Sequence, residues 1–190
     1  MSLFHSFRSA VESRDDFKFL PRKAPSQLEI LTSPFNFSYL KQAEVTVPLA
    51  MLAIYLGYWV PKYENARYSR PSFGGTASAF FTSHMAGTWE ELAFRGWLMP
   101  VFRQMTGNDG WANGLQASLF GLAHWNETSF PLTQFLGGMI YGYSVIQNDW
   151  DIRVGVFQHF WWDFLIFMAI ESSGSDVENI FYLPAISMTF

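Results

Sequence analysis

Long stretches without a single Asp, Glu, Lys or Arg limit what this chain can fold into more than any other feature. "VTVPLAMLAIYLGYWV" (45–60), "PSFGGTASAFFTSHMAGTW" (71–89) and "GWANGLQASLFGLAHWN" (110–126) are three of them. A fourth runs over 128–148, and "VGVFQHFWWDFLIFMAI" (154–170) is broken only by Asp163. "IFYLPAISMTF" (180–190) reads as a last, partial block. As one helix, 128–148 would be about 31 Å long at 1.5 Å per residue, close to the ~30 Å of a bilayer core. Soluble amphipathic helices carry a charged face, and these blocks have none. No alternation of period two is sustained, which argues against strands. The expected fold is all-α: a polytopic transmembrane bundle of about five to six apolar helices.

Composition agrees. Aromatic residues make up 19% of the chain and charged residues only 15%, against about 25% charged in soluble domains. Mean hydropathy is only +0.07, because residues 1–42 are polar and dilute the average. That region is expected to stand apart from a transmembrane domain over 43–190. Phe4, Phe7, Val11 and Phe17 could line an interfacial helix on the membrane, or the region could be a loosely packed tail. It holds half of the cations, including Arg8, Arg14, Lys18 and Lys41, which suggests a cytoplasmic N-terminus. Lys62, Arg67 and Arg70 beyond the first block pull the other way. Net charge is −4, so nucleic acid is not an expected partner. Without cysteine there is no thiol nucleophile and no Cys-ligated zinc.

Small residues replace charge inside the blocks. Gly138 and Gly142 have the G-x-x-x-G spacing that lets helices approach closely in lipid.

Ionisable groups inside such text need a reason. Each costs about 2.5–3.5 kcal/mol at mid-membrane on insertion scales, and "GTWEELAFRGW" (87–97) holds three. Glu91 and Arg95 are i and i+4, so they share a helix face and can pair. Glu90 lies about 100° round the helix and has no local partner, which makes it a candidate general acid or base. His124 ends a second block. His159 and Asp163, again i and i+4, lie in a third. His84 could simply line a helix interface. Three blocks that each bring titratable groups into apolar surroundings are best explained by convergence on one site. Neither the H-E-x-x-H of metalloproteases nor a G-x-S-x-G elbow is present. A carboxylate and a histidine polarising water, or two histidines and two glutamates holding Zn²⁺, both remain open on spacing alone.

Taken together, "EELAFRG" (90–96), "FGLAH" (120–124) and "HFWWD" (159–163) resemble the E-E-x-x-x-R, F-x-x-x-H and H-x-x-x-N/D motifs of the CPBP family, the CAAX-protease and bacteriocin-processing group. The glycine-rich "FLGGMIYGY" (135–143) is similar to the helix between its second and third motifs. The resemblance covers roughly 72–172. It implies an intramembrane endopeptidase, of glutamic type, that needs no metal or other cofactor. Glu90 and His124 would then activate water, and Glu91 would brace Arg95. His159 and residue 163 would stabilise the oxyanion. Where the family has Asn this chain has Asp163, and an ionised Asp cannot donate to an oxyanion. The expectation is therefore that Asp163 orients His159 and the histidine alone donates.

The implied partners are a peptide or protein substrate and membrane lipids. The substrate would be a CAAX-type, lipidated, leader or C-terminal sorting peptide. Small members of this kind look prokaryotic, which implies the cell (inner) membrane. The alternatives are a non-proteolytic immunity or scaffold protein of the same family, or a metal-dependent membrane hydrolase.

Overall fold

The computed structural model describes residues 24–63, 67–125 and 131–173. The face proposed for Phe4, Phe7, Val11 and Phe17, and the closing block 180–190, lie outside them. The described residues contain helices and no strand. Five helices of at least 12 residues carry the fold. They follow α1 (Gln27–Thr32) and two 3-10 turns, Ser33–Phe35 and Phe37–Lys41.

The helices are α2 (Ala43–Ile54), α3 (Phe73–Ala93), α4 (Met99–Thr106), α5 (Asp109–Ala123), α6 (Leu132–Gln147) and α7 (Ile152–Ser173). A π-turn, Tyr55–Trp59, and a final turn, Val60–Tyr63, extend α2. Another π-turn, Phe94–Leu98, joins α3 to α4 without a break.

Local chemistry sets the boundaries. Ser26 and Glu29 form a reciprocal capping box on α1. Ser72 caps α3 by accepting from Gly75 N, and Asn108 caps α5 by accepting from Trp111 N. Gly107, at φ 66°, ends α4 in the left-handed region. Of the block 128–148, expected as one 21-residue helix, the described part holds the 16 residues of α6. Pro131 stands at its N-cap, a position proline tolerates because the first turn lacks N–H partners.

Apolar side chains face outward in helical stripes: Val47, Met51 and Ile54 on α2, Phe81, Met85 and Trp89 on α3, and Trp111, Leu115, Leu119 and Leu122 on α5. Polar groups turn inward instead, with Glu91, Arg95, Gln116, Ser144, Gln158 and His159 all buried. That inversion suits a lipid surround, where an inward polar group finds partners and an outward apolar one costs nothing. Among the described residues, one helix (Ala43–Lys62) is long and apolar enough to cross a membrane on length and composition alone. Ser, Thr and Gly lower the hydropathy of α3, and polar residues facing the interior interrupt α7.

α3 and α7 run antiparallel as the principal pair, and α5 packs on α6. Glycines make both contacts close. A Cβ on Gly87 would stand 3.1 Å from Phe160 N, and one on Gly138 would stand 3.1 Å from Ala117 Cα. At one end of the bundle Ser72 Oγ donates to Glu171 (2.8 Å) and Ser69 N to Ser172 O (2.6 Å). At the other, Gln42 Nε2 donates to Asn148 Oδ1 (2.6 Å), and Asn148 donates to Glu44 (3.2 Å). Residues 27–41 are packed against α3 and α7 through Phe35, Phe37 and Tyr39.

Candidate active site

α3 carries Glu90 and Glu91 in its last turn, and Arg95 follows inside the π-turn. Single π-turns widen the helix and recur at functional sites. Here the helix continues for another two turns, so the acids sit mid-helix and not at an end. Glu91 and Arg95 have no side-chain exposure and form an ion pair, Arg95 NH1 to Glu91 Oε1, at 2.6 Å. Arg95 NH2 also donates to the Gly138 carbonyl at 3.2 Å. Its guanidinium lies 4.6 Å from the Phe120 ring centroid and 5.3 Å from that of Tyr141, within cation–π range.

Glu90 points elsewhere. Its Oε2 stands 3.8 Å from His124 Nε2 and 3.8 Å from His159 Nε2. The same oxygen is buried and makes no hydrogen bond. Both imidazoles are held from behind. His124, at the C-cap of α5, lies with Nδ1 2.7 Å from the Phe120 carbonyl. A carbonyl only accepts, so Nδ1 carries the proton and Nε2 faces Glu90. His159 Nδ1 lies 3.0 Å from Glu91 Oε1 and donates to it. Tyr141 stacks on its ring at 4.7 Å and 24°.

The six residues singled out from the sequence thus form two connected layers. Glu90, His124 and His159 face one another, with Asp163 Oδ2 at 3.4 Å from His159 Nε2. Glu91 and Arg95 lie behind them. Two carboxylates meet His159: Glu91 takes Nδ1, and Asp163 flanks the Nε2 that looks toward Glu90. Asp163 thus lies against His159 as their spacing suggests, and Glu91 holds the other ring nitrogen. His84 stays out of this cluster and bonds the Leu31 carbonyl at 2.8 Å.

Several supporting residues have no motif. Gly155 leaves the space that Glu91 Oε2 fills, since a Cβ there would collide with it. Gln116 Nε2 donates to Gly138 O at 2.9 Å and to Asn113 Oδ1 at 2.7 Å. A Cβ on Gly142 would strike that same pair of amides. The Gly138/Gly142 spacing is a usable signal for close packing, but not for its polar content.

An outward apolar surface around an internal polar cluster defines a membrane helix bundle with its chemistry inside. Residues 72–165 match the model of the Rce1-like family, the type II CAAX prenyl endopeptidases, and form a domain of that family. At family level it is a CAAX-type intramembrane endopeptidase, a hydrolase of peptide or protein substrates in an integral membrane protease family. No curated protein and no solved structure matches the chain.

Proposed function

We propose that Glu90 and His124 together activate a water molecule that hydrolyses a peptide bond of a substrate presented at membrane depth. The observation that carries this is the 3.8 Å gap from Glu90 Oε2 to the Nε2 of both His124 and His159. It is too long for a direct hydrogen bond, and a water seated beside the pair, about 2.8 Å from each group, can bond both. With Nδ1 of His124 committed to Phe120 O, its Nε2 lone pair accepts one O–H of that water. The Glu90 carboxylate accepts the other. The water oxygen keeps a lone pair for the scissile carbonyl carbon.

Attack forms the C–O bond and passes the water's proton to Glu90. The carbonyl π-pair moves to oxygen, giving a tetrahedral oxyanion. His159, in its doubly protonated form, donates from Nδ1 to Glu91 and from Nε2 to that oxyanion. Collapse breaks the C–N bond as Glu90 returns its proton to the leaving amine. Glu91 and Arg95 do not touch the reacting atoms. Glu91 fixes His159, and Arg95 fixes Glu91.

The substrate class that fits is a CAAX-type lipidated segment, or a plain leader or C-terminal sorting peptide. The deciding experiment is cleavage in detergent of farnesylated and plain peptides by wild type and Glu90→Ala, with and without chelator. Cleavage that needs Glu90 and ignores the chelator is expected. Full activity in Glu90→Ala would end the proposal, and chelator-sensitive activity restored by Zn²⁺ would replace it with a metal-dependent one.

A further inference from the structure

The segment before α2 lies outside the family match, and its placement raises a separate question. Its two ends sit at one end of the bundle. Glu29 pairs with Arg153, near the start of α7, at 3.3 Å, and Gln42 bonds Asn148 just before α7 at 2.6 Å. Between them the chain travels inward. The Pro34 carbonyl accepts from Trp161 Nε1 at 2.9 Å, and Phe35 packs on Phe160 and Phe80. Phe160 and Trp161 are eight and nine residues into α7, or about 12–14 Å below its first residue. The turn therefore reaches the depth of His159, on the flank of the α3–α7 pair.

We propose that residues 27–41 are a re-entrant membrane segment. It enters and leaves the bilayer by the face that holds the N-terminus of α7, and its Phe35 and Phe37 rings lie in lipid hydrocarbon.

Irregular backbone survives at membrane depth only where its polar groups are satisfied by protein, and several of them find protein partners here. Side chains donate to three carbonyls of α1. Leu28 O accepts from Thr32 Oγ1 (2.7 Å), Ile30 O from Ser33 Oγ (2.6 Å), and Leu31 O from His84 Nε2 (2.8 Å). Pro34 has no N–H to satisfy. Asn36 N donates to Ser33 O at 2.9 Å. The largest side chains on the outer face of the segment are apolar, with Phe35 50% and Phe37 55% exposed. On α3, beside Phe80, it continues into the exposed Phe81 and Met85. Lipid hydrocarbon is the occupant that fits a face continuous with the bundle's outward stripes. Its charged residues, Glu29 and Lys41, stay toward the two ends, and the exposed Asn36 and Ser38 at its middle bond each other, Ser38 Oγ donating to Asn36 Oδ1 at 2.7 Å. The turn also does something for the bundle: His84 from α3 and Trp161 from α7 both donate to it, so it ties the two helices together at the depth of the candidate site.

The chain has no cysteine, so single reporters can be placed directly. Gln27→Cys, Phe35→Cys, Phe37→Cys and Lys41→Cys would be reconstituted in sealed phosphatidylcholine/phosphatidylglycerol vesicles. A membrane-impermeant maleimide reads aqueous exposure. A bimane label, attached in detergent beforehand, reads depth against nitroxide lipids. The expected result is that Gln27→Cys and Lys41→Cys react from the same side, while Phe35→Cys and Phe37→Cys do not react. The bimane at 35 and 37 should be quenched at least threefold more by a mid-chain nitroxide than by a headgroup one. Stronger headgroup quenching would make the segment a surface helix and overturn the proposal. So would reaction of Phe35→Cys and Phe37→Cys at the rate of Gln27→Cys, or labelling of Gln27→Cys and Lys41→Cys from opposite sides.

Discussion

His159 on α7 and Glu91 on α3 share a buried hydrogen bond, Nδ1 donating to Oε1 at 3.0 Å. The same oxygen takes Arg95 at 2.6 Å, so one carboxylate oxygen joins a neighbouring turn of its own helix to a histidine on another. Removing one member of a fully buried pair leaves the other charge uncompensated, at a cost of about 3–5 kcal/mol. Glu91→Ala should therefore lower the melting temperature in detergent sharply and abolish cleavage. A wild-type melting temperature in that variant would show that the pair does not hold α3 and α7 together.

Glu90 should behave in the opposite way. Its side chain is 18% exposed and its buried Oε2 holds no hydrogen bond, so the fold gains little from it. Losing a general base typically costs about 10²–10⁴ in rate. Glu90→Gln is expected to lose that much turnover while melting within a few degrees of wild type. If turnover and melting fell together, Glu90 would be a structural acid.

The different placement of the two adjacent acids is legible in the sequence. Helical spacing alone puts Glu91 on the face of Arg95 and Glu90 off it. What spacing cannot give is the partner on another helix. Nothing local to His159 says that Glu91 takes its Nδ1, since the two are 68 residues apart. Asp163, four residues away on the same face, is the neighbour that spacing gives, and it lies by the other nitrogen. Gly155 was equally hidden, because its role is a volume left open for a side chain of α3. In "TSPFNFS" (32–38) the Ser and Pro residues are those of a loop. The burial of Ser33 and Pro34 goes with Trp161 and His84 donating to the Pro34 and Leu31 carbonyls, which no local pattern encodes.

Asp163 tests the oxyanion assignment. It lies 3.4 Å from His159 Nε2, beside the position where negative charge would develop. Asp163→Asn keeps the shape, removes a charge and adds an N–H donor. Steady-state cleavage should then be retained or increased. Asp163→Leu, which can neither pair with the imidazole nor donate, should lose at least roughly tenfold, in the range of a single lost transition-state contact. A dead Asp163→Asn enzyme would mean that the carboxylate itself is required, with Asp163 acting as a proton acceptor beside Glu90.

The close approach of α3 to α7 can be probed without touching a titratable group. A Cβ on Gly155 would collide with Glu91 Oε2 and stand 3.0 Å from Val145 Cγ2. Neither neighbour has room to yield, because both residues are fully buried. Overpacking of this kind costs about 1–3 kcal/mol, and here the displaced group is the one that holds His159. Gly155→Ala should thus lower both the melting temperature and kcat, with KM little changed. Gly114→Ala is the matched control. It is also a helical glycine, but a Cβ there meets nothing within 4 Å, and a glycine-to-alanine change in a helix interior is worth up to about 1 kcal/mol in stability. It should melt at or slightly above wild type with normal kcat. Equal behaviour of the two variants would mean that α3 and α7 have slack at Glu91, and that the His159–Glu91 bond does not depend on the missing side chain at Gly155.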